Sequence, residues 1–300
     1  MITRTLLIFA LSIGLSHAGA LQPPPGTQAH RDLQYVDNGG PYRTLDLYLP
    51  EKADGKLPVV IWIHGGAWRG GAKGGWCAAT GLLSKGYALA DINYRLAGAP
   101  DFQPFPAQLY DCKAAVRWLR ANAGQYNLDP DHIGVWGHSA GAHLAAMLGV
   151  TGGNAQLEGD EGNTNVSSAV QAVCAWACPS DIVAFLHGEA GPVGINRISQ
   201  LLGGRDLKAA NDDKAKVASP LTYVAAGDPP FMMAQGMIDT DVPPADSAKL
   251  ADALKTAGVE CTYIPVPGKA HGIGGPELEQ QADDFFDKYL KAAAASSPAK

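Results

Sequence analysis

The chain has 300 residues, of which 46% are hydrophobic and 17% are charged, and its formal net charge is −6 at pH 7. A chain of this length and apolar content can bury one large core. The negative charge is spread over a mixed sequence without long runs of like charge, which excludes the basic groove typical of nucleic-acid-binding proteins.

Residues 1–20 have the layout of a secretory signal peptide. Arg4 precedes an apolar stretch at 6–15, and small residues follow around Ala18 and Ala20. A positive start, a short apolar segment and a small-residue end are typical of a signal that is cleaved during export. Because the apolar stretch is too short for a membrane span, we expect cleavage after Ala18 or Ala20 and no stable membrane insertion. The sequence therefore predicts a periplasmic or secreted protein.

The remaining chain divides into a linker, one domain and a tail. Residues 21–32 are predicted to form the linker, because Pro23–Pro25 favour a stiff extended chain. The domain is predicted over residues 33–291, and residues 292–300 are predicted to be a disordered tail. Residues 33–36 and 45–49 alternate polar and apolar side chains, which predicts antiparallel strands with one solvent-exposed face at the start of the domain.

Strands and helices then alternate along the chain, which predicts an α/β fold with a mostly parallel central sheet and helices on both faces. Two less regular stretches, residues 151–165 and 186–218, are predicted to be loops that line a ligand pocket. The predicted strands lie at 58–64, 87–92, 132–136, 170–177, 231–235 and 261–266, and the predicted helices at 107–123, 243–257 and 276–290.

A serine between two glycines lies at a predicted strand-to-helix turn. The segment Gly137–Gly141 has the pattern G-x-S-x-G and is followed by small and apolar residues at helical spacing. Glycines permit the sharp turn and a close approach of the next helix, and they leave the hydroxyl exposed at the positive end of the helix dipole. We therefore predict that Ser139 is a nucleophile.

A serine hydroxyl needs a base, and the base needs an acid to fix its tautomer. His271 follows the predicted strand at 261–266, so it lies at the same edge of the sheet as Ser139 and is the predicted base. Asp239 and Asp241 follow the strand at 231–235 and both compete for the role of the acid. Asp181 is a third candidate, although we expect it to cap a short helix that begins at Ile182.

A glycine-containing loop follows the first buried strand, at His64–Trp68. Such a loop can turn its backbone N–H groups toward an oxygen that gains negative charge. The predicted donors are the N–H groups of Gly66, Ala67 and Ala140, and His64 is expected to hold the loop. Trp68 and His138 are candidates for the wall of a substrate pocket.

Five cysteines are an odd number for an exported chain, and the sequence does not determine whether any of them form a disulfide. Buried apolar thiols are the expected state. No close set of histidines and thiols predicts a metal site, and no cofactor is expected. The oligomeric state is left open.

Several motifs together resemble the α/β-hydrolase superfamily over residues 33–290, and within it the BD-FAE-like (feruloyl-esterase-type) carboxylesterases related to the hormone-sensitive-lipase group. The family's acid is followed by any two residues and Val-Pro, which corresponds to Asp239. Gln235 stands where the family commonly has histidine, and Cys178 where glycine is usual. The motifs that carry the resemblance are 45–50 (LDLYLP), 64–68 (HGGAW), 92–96 (INYRL) and 114–119 (AAVRWL).

The resemblance implies a cofactor-free serine hydrolase with Ser139, Asp239 and His271 as the triad, acting on small acyl esters that include feruloyl or acetyl groups on plant polysaccharide. Short insertions in place of a large cap favour an open cleft for such a polymer-linked substrate. An amidase or aryl-formamidase on the same fold is an alternative, because the His64–Trp68 loop is common to both. A non-catalytic binding protein of the same fold is a second alternative.

Overall fold

The computed structural model describes residues 21–98, 102–189 and 191–291, which are built around one eight-stranded sheet. Its spatial order is β1-β2-β4-β3-β5-β6-β7-β8. The pairs β1–β2 and β2–β4 are antiparallel and all other pairs are parallel, which confirms the predicted sheet with its antiparallel N-terminal edge. The strands are β1 (Thr27–Gln34), β2 (Thr44–Pro50), β3 (Leu57–Ile63), β4 (Ala88–Ile92), β5 (Leu128–His138), β6 (Ala172–Trp176), β7 (Phe231–Gly236) and β8 (Cys261–Val266).

Helices connect the strands, and none in the described part of the chain is long and apolar enough to cross a membrane. Short 3₁₀ turns lie at Ala78–Lys85, Ala155–Leu157, Leu207–Ala209 and Pro220–Thr222, and a π-helical turn at Asp287–Lys291 follows the last α-helix. The α-helices are α1 (Ala107–Ala121), α2 (Ala140–Val150), α3 (Ile182–Leu186), α4 (Gly191–Gly203), α5 (Asp212–Val217), α6 (Pro244–Thr256) and α7 (Pro276–Phe286).

The core lies on both faces of the sheet, and β3 shows why. Its side chains alternate between two apolar clusters, with Ile61 and Ile63 in the one that α1, α2 and α6 cover. Val60 and Trp62 belong to the other cluster, which α7 covers. A strand that is buried on both faces has a continuous run of apolar residues, and the apolar run in the sequence of β3 predicted such a strand.

The N-terminal edge differs from the prediction. Residues 21–32 do not form a separate linker, because β1 already begins at Thr27 and pairs with β2. Leu21 is buried, and its backbone N–H donates to the carbonyl of Gly74. The strand expected at 33–36 covers only the end of β1, because the rest of this edge strand has mostly polar, exposed side chains and lacks an apolar period. The predicted signal at 1–20 and the predicted tail at 292–300 lie outside the described residues.

The two stretches predicted as pocket loops also differ from the prediction. Residues 186–218 contain α4 and α5, and α4 buries Ile198, Leu201 and Leu202 at helical spacing. The helical spacing of these apolar residues was not recognised because several glycines lie in the same stretch. Residues 151–165 are held on α1 through Glu158, whose carboxylate accepts from Lys113 at 2.6 Å and from Arg117 at 3.2 Å.

Candidate active site

Ser139 lies at a tight turn between β5 and α2. Its backbone angles are φ 58° and ψ −122°, a strained conformation for a residue with a side chain. The turn requires glycine on its helical side, since a Cβ on Gly141 would lie 2.0 Å from the carbonyl oxygen of Ile63. The strain and the close packing hold the Ser139 hydroxyl at the carboxyl edge of the sheet, as the sequence pattern predicted.

The structure brings three predicted residues into one hydrogen-bonded chain. His271 Nε2 lies 2.8 Å from Ser139 Oγ, and His271 Nδ1 lies 2.8 Å from Asp239 Oδ2. The carboxylate only accepts, so Nδ1 carries the proton and Nε2 is free to accept the hydroxyl proton. The loops of Asp239 and His271 meet because Gly236 lacks a side chain, whose Cβ would lie 2.2 Å from the carbonyl oxygen of Ala270.

Asp239 is buried, with 5% of its surface exposed, and its carboxylate is fully hydrogen-bonded. Burial raises the pKa of Asp239, but the hydrogen bond from His271 and the backbone N–H of Val242 outweigh it and hold the pKa below its ordinary value. Oδ1 accepts from the backbone N–H groups of Asp241 at 2.8 Å and Val242 at 3.1 Å. The group beside His271 is therefore an anion that can stabilise a protonated imidazole.

The two competing aspartates have other partners. Asp241 is exposed and forms an ion pair with Arg197 at 2.9 Å. Asp181 caps α3 by accepting from the backbone N–H of Ala184, as predicted, and it also contacts Lys249. Neither carboxylate has a hydrogen bond with His271.

Gln235 is a residue whose role at this site sequence reasoning missed. Its Nε2 donates to Asp239 Oδ2 at 3.0 Å and to the carbonyl of Val242, and its Oε1 accepts from Ser247 Oγ at 2.6 Å. The sequence showed that Gln235 stands where the family commonly has histidine, but it did not show that this side chain contacts Asp239.

The loop at His64–Trp68 lies directly beside the nucleophile, since a Cβ on Gly65 would be 3.3 Å from Ser139 Cβ. Ala67 and Trp68 have positive φ values of 53° and 59°, which is unusual for residues with side chains. Within the described part of the chain, the backbone N–H groups of Gly66, Ala67 and Ala140 have no carbonyl partner. The loop thus keeps hydrogen-bond donors unused next to Ser139, an arrangement suited to an oxyanion.

His64 holds this loop, as expected from the sequence. Its ring stacks on Tyr94 with centroids 4.4 Å apart, and the Tyr94 hydroxyl donates to the His64 carbonyl at 3.0 Å. Burial lowers the pKa of His64 to about 4, so the ring is neutral at physiological pH. The Nδ1 atom of His64 lies 2.7 Å from the carbonyl oxygen of Gly65.

His138 lines a cleft beside the chain of three residues. Burial lowers its pKa to about 4, so the neutral ring donates from Nε2 to the carbonyl oxygen of His271 at 2.9 Å. That bond helps to hold the loop of His271. The cleft, of about 390 Å³, is bounded by Trp76, His138, residues 272–275 and Glu279.

The prediction that Trp68 lines a pocket is wrong. Only 3% of Trp68 is exposed, and its Nε1 donates to Nδ1 of His143 on α2 at 3.1 Å. His143 in turn donates from Nε2 to the carbonyl of Ala218 at 2.7 Å. The indole N–H has a buried partner on the helix, so the ring packs inward instead of facing a substrate.

The described residues contain no cluster of three or more histidine, cysteine, aspartate or glutamate side chains arranged to hold a metal ion. All five cysteines have free thiols, and Cys77, Cys112, Cys174 and Cys178 are buried. Burial raises the pKa of Cys178 well above its ordinary value, which makes it a poor nucleophile. Ser139, in contrast, has its hydroxyl within hydrogen-bond distance of a histidine, at 2.8 Å from His271 Nε2.

Comparison with known proteins shows which family the chain is similar to. A sequence model of the BD-FAE family matches residues 45–254. Esterase LipQ of Mycobacterium tuberculosis is 31% identical over 242 residues, which cover 78% of this chain and 55% of that protein. The chain therefore spans just over half the length of this curated relative.

Two solved structures extend the comparison to the fold. A carbohydrate esterase from gut microbiota, solved in truncated form, is 31% identical, has a TM-score of 0.80, and is matched over 89% of this chain and 98% of its own. A bifunctional GH43-CE of Bacteroides eggerthii is 33% identical with a TM-score of 0.75, over 87% of this chain and 38% of its own. Both likenesses extend well beyond the segment around Ser139.

Proposed function

The chain belongs to the BD-FAE family of α/β-hydrolase esterases, and we propose that it is a serine carboxylesterase that hydrolyses small acyl esters, with feruloyl or acetyl esters of plant polysaccharide as the substrate class. The observation that carries the proposal is the hydrogen-bonded chain from Asp239 Oδ2 through His271 to Ser139 Oγ, with 2.8 Å at each of its two steps.

In the first half of the reaction the serine is acylated. Ser139 Oγ attacks the ester carbonyl carbon while His271 Nε2 takes the hydroxyl proton, and Asp239 stabilises the imidazolium. The carbonyl oxygen becomes an oxyanion and accepts from the N–H groups of Gly66, Ala67 and Ala140. When the intermediate collapses, the bond to the alcohol oxygen breaks and His271 returns the proton to the leaving alcohol.

The second half releases the acid. A water molecule gives a proton to His271 Nε2 as its oxygen attacks the acyl carbon, and the same three N–H groups stabilise the second oxyanion. The bond to Ser139 Oγ then breaks and Oγ recovers the proton from His271. Every step uses groups of this chain and water, so the reaction needs no cofactor.

Support for a carbohydrate-linked ester comes from the two similar solved structures, one described as a carbohydrate esterase and the other as a bifunctional GH43-CE. The resemblance of the sequence motifs to feruloyl-esterase-type carboxylesterases supports feruloyl or other small acyl groups.

The experiment compares initial rates on p-nitrophenyl esters from acetate to octanoate, on methyl ferulate and on acetylated xylan, for the wild type and Ser139→Ala. We expect the wild type to prefer short acyl chains or ferulate and the variant to be inactive. A p-nitroanilide matched to the best ester separates esterase from amidase, and faster cleavage of the anilide would favour the amidase alternative. Failure to cleave any ester or anilide would favour the binding-protein alternative.

We also propose that residues 1–20 direct export, because their charge and apolar pattern match a cleaved signal. Expression with a C-terminal tag, followed by fractionation and intact-mass analysis, tests this. We expect a periplasmic or secreted product that begins after Ala18 or Ala20. An uncleaved product confined to the cytoplasm would contradict export while leaving the esterase proposal unaffected.

A further inference from the structure

Trp76 is a large aromatic residue that the structure leaves half exposed beside the candidate triad. Trp76 has 48% of its surface exposed, whereas the neighbouring Trp62 is buried. The Trp76 ring meets Trp62 edge-on with centroids 5.2 Å apart and meets His138 edge-on at 5.6 Å. Two perpendicular ring contacts fix the orientation of the indole, so it presents a rigid apolar surface to solvent.

That surface is connected to the reacting atoms. The rings of His138 and His271 have centroids 5.0 Å apart, and His271 Nε2 is 2.8 Å from Ser139 Oγ. The cleft of about 390 Å³ is bounded by Trp76, His138, residues 272–275 and Glu279, so its wall includes the residue that follows His271 in the chain. Its size lies within the range of small-molecule binding sites.

The position of the cleft decides which part of an ester it can hold. The alcohol oxygen must receive its proton from His271 Nε2, so the alcohol part lies on the side of the His271 loop. The carbonyl oxygen points to Gly66 and Ala67 on the loop that follows β3 and to Ala140 at the start of α2. Because residues 272–275 directly follow His271 and bound the cleft, it lies on the alcohol side of the site.

The chemistry of the walls decides what kind of alcohol fits. The electron-rich indole surface of Trp76 attracts polarised C–H groups, which a sugar ring presents on its apolar face. Glu279 accepts from the backbone N–H of Gly275 at 3.3 Å, and its carboxylate retains further lone pairs for ligand hydroxyls. A negative carboxylate also disfavours an anionic sugar.

We propose that this cleft is the subsite for the alcohol part of the substrate, a neutral sugar unit whose ring stacks on Trp76 and whose hydroxyls bind Glu279. This assignment rests on the proposed esterase function. It goes beyond that function by placing the sugar in this cleft and by identifying Trp76 and Glu279 as residues that determine the specificity for it.

The test uses two substrates with the same acyl group and different alcohols, namely acetylated xylo-oligosaccharide and ethyl acetate, with acetic acid release as the readout. For Trp76→Ala we expect kcat/KM on the sugar ester to fall about 3- to 10-fold, and on ethyl acetate to stay within about twofold of the wild type. Trp76→Phe should retain most of the activity on the sugar ester. Val217→Ala, which truncates an exposed apolar residue on α5, is the matched control.

Equal loss on both substrates, or no loss on either, would overturn the subsite. A wild type inactive on both acetates would instead count against the proposed function, so binding is measured separately. By titration calorimetry we expect unacetylated xylotriose to bind the wild type, and to bind Trp76→Ala and Glu279→Gln more weakly. Absence of xylotriose binding to the wild type, or equal binding to all three proteins, would overturn the subsite whatever the activity.

Discussion

Gln235 Nε2 donates a hydrogen bond to Asp239 Oδ2 at 3.0 Å, and the same oxygen accepts from His271 Nδ1 at 2.8 Å. The amide is fully buried, and its orientation is fixed because Ser247 Oγ donates to its Oε1. A neutral donor on that oxygen withdraws charge from the carboxylate that faces the imidazole. Gln235 is therefore placed to set how strongly Asp239 stabilises a protonated His271.

Replacing Gln235 by methionine, which has similar length and no donor, should change the pH dependence of catalysis. Without the amide, the carboxylate that faces the imidazole carries more charge and stabilises an imidazolium more strongly. We expect the acidic limb of the kcat/KM profile to move up by about half to one pH unit, and kcat/KM near neutrality to fall several-fold, on the order of one hydrogen bond.

Two further variants separate this effect from general damage to the core. Gln235→His retains a ring N–H donor and should restore the position of the acidic limb. Ser247→Ala removes the anchor of the amide while keeping the donor and should shift the limb little. Identical profiles for the wild type and Gln235→Met would refute the role assigned to the amide.

Asp239 and Asp241 lie two residues apart but should respond differently to the same change. Asp239→Asn replaces an acceptor by an amide and disfavours the tautomer of His271 that serves as base, so kcat should fall by about 10³- to 10⁴-fold. Asp241→Asn breaks only an exposed ion pair with Arg197, and kcat should stay near the wild-type value. Ester hydrolysis by the two variants checks this, and a comparable loss in both would contradict the assignment of the acid.

Trp68→Phe should reduce stability without changing acyl specificity. The substitution leaves the buried Nδ1 of His143 without its donor, which costs about 1–3 kcal/mol in the free energy of unfolding. Because Trp68 is buried, the ratio of kcat/KM on acetate to that on butyrate should match the wild type. Urea unfolding and the two ester assays measure both quantities. A changed ratio with unchanged stability would mean that the indole contacts substrate.

Asp91 on β4 should make stability fall as pH rises. It is buried opposite Asp46, Oδ2 accepts from the N–H of Gly74 at 2.6 Å, and Oδ1 has no partner among the described residues. Burial, with a smaller contribution from Asp46, raises the pKa of Asp91 to about 7. The folded state therefore binds more protons than the unfolded state between about pH 4 and pH 7, so this group lowers the free energy of unfolding as pH rises through that window.

The variant Asp91→Asn removes this titration while preserving the shape of the side chain. We expect the free energy of unfolding of Asp91→Asn minus that of the wild type to increase by on the order of 2 kcal/mol from pH 5 to pH 8. Urea unfolding of both proteins at the two pH values gives that difference. A difference that does not change with pH would show that Asp91 is ionised throughout.

The sequence predicted the parts of the fold that depend on local pattern. Ser139 was predicted because a buried strand, two glycines and an apolar helix are adjacent in the chain. His271 was predicted because parallel strands end at one edge of the sheet. The same argument left Asp239 and Asp241 open, and the family pattern selected Asp239. Only the end of β1 was predicted, because the rest of this edge strand has mostly polar side chains and no apolar period. Helix α4 was missed because its apolar period lies among glycines.

The parts that depend on long-range contacts were not readable from the chain. Trp68 belongs to a glycine-containing loop that suggested a pocket wall, but its partner, His143, is 75 residues away on α2. Gln235 is only four residues from Asp239, but their contact depends on how the turn after β7 folds back over the end of the strand. A pattern along the sequence does not specify such contacts, which depend on how elements pack.

The claim that Ser139 is the nucleophile of a hydrogen-bonded triad is tested most directly by reaction with a fluorophosphonate, followed by intact-mass analysis and peptide mapping. We predict that the wild type gains one phosphonyl group on Ser139 as esterase activity is lost, and that Ser139→Ala gains none. Labelling of another residue, or turnover of esters by Ser139→Ala at the wild-type rate, would contradict the account.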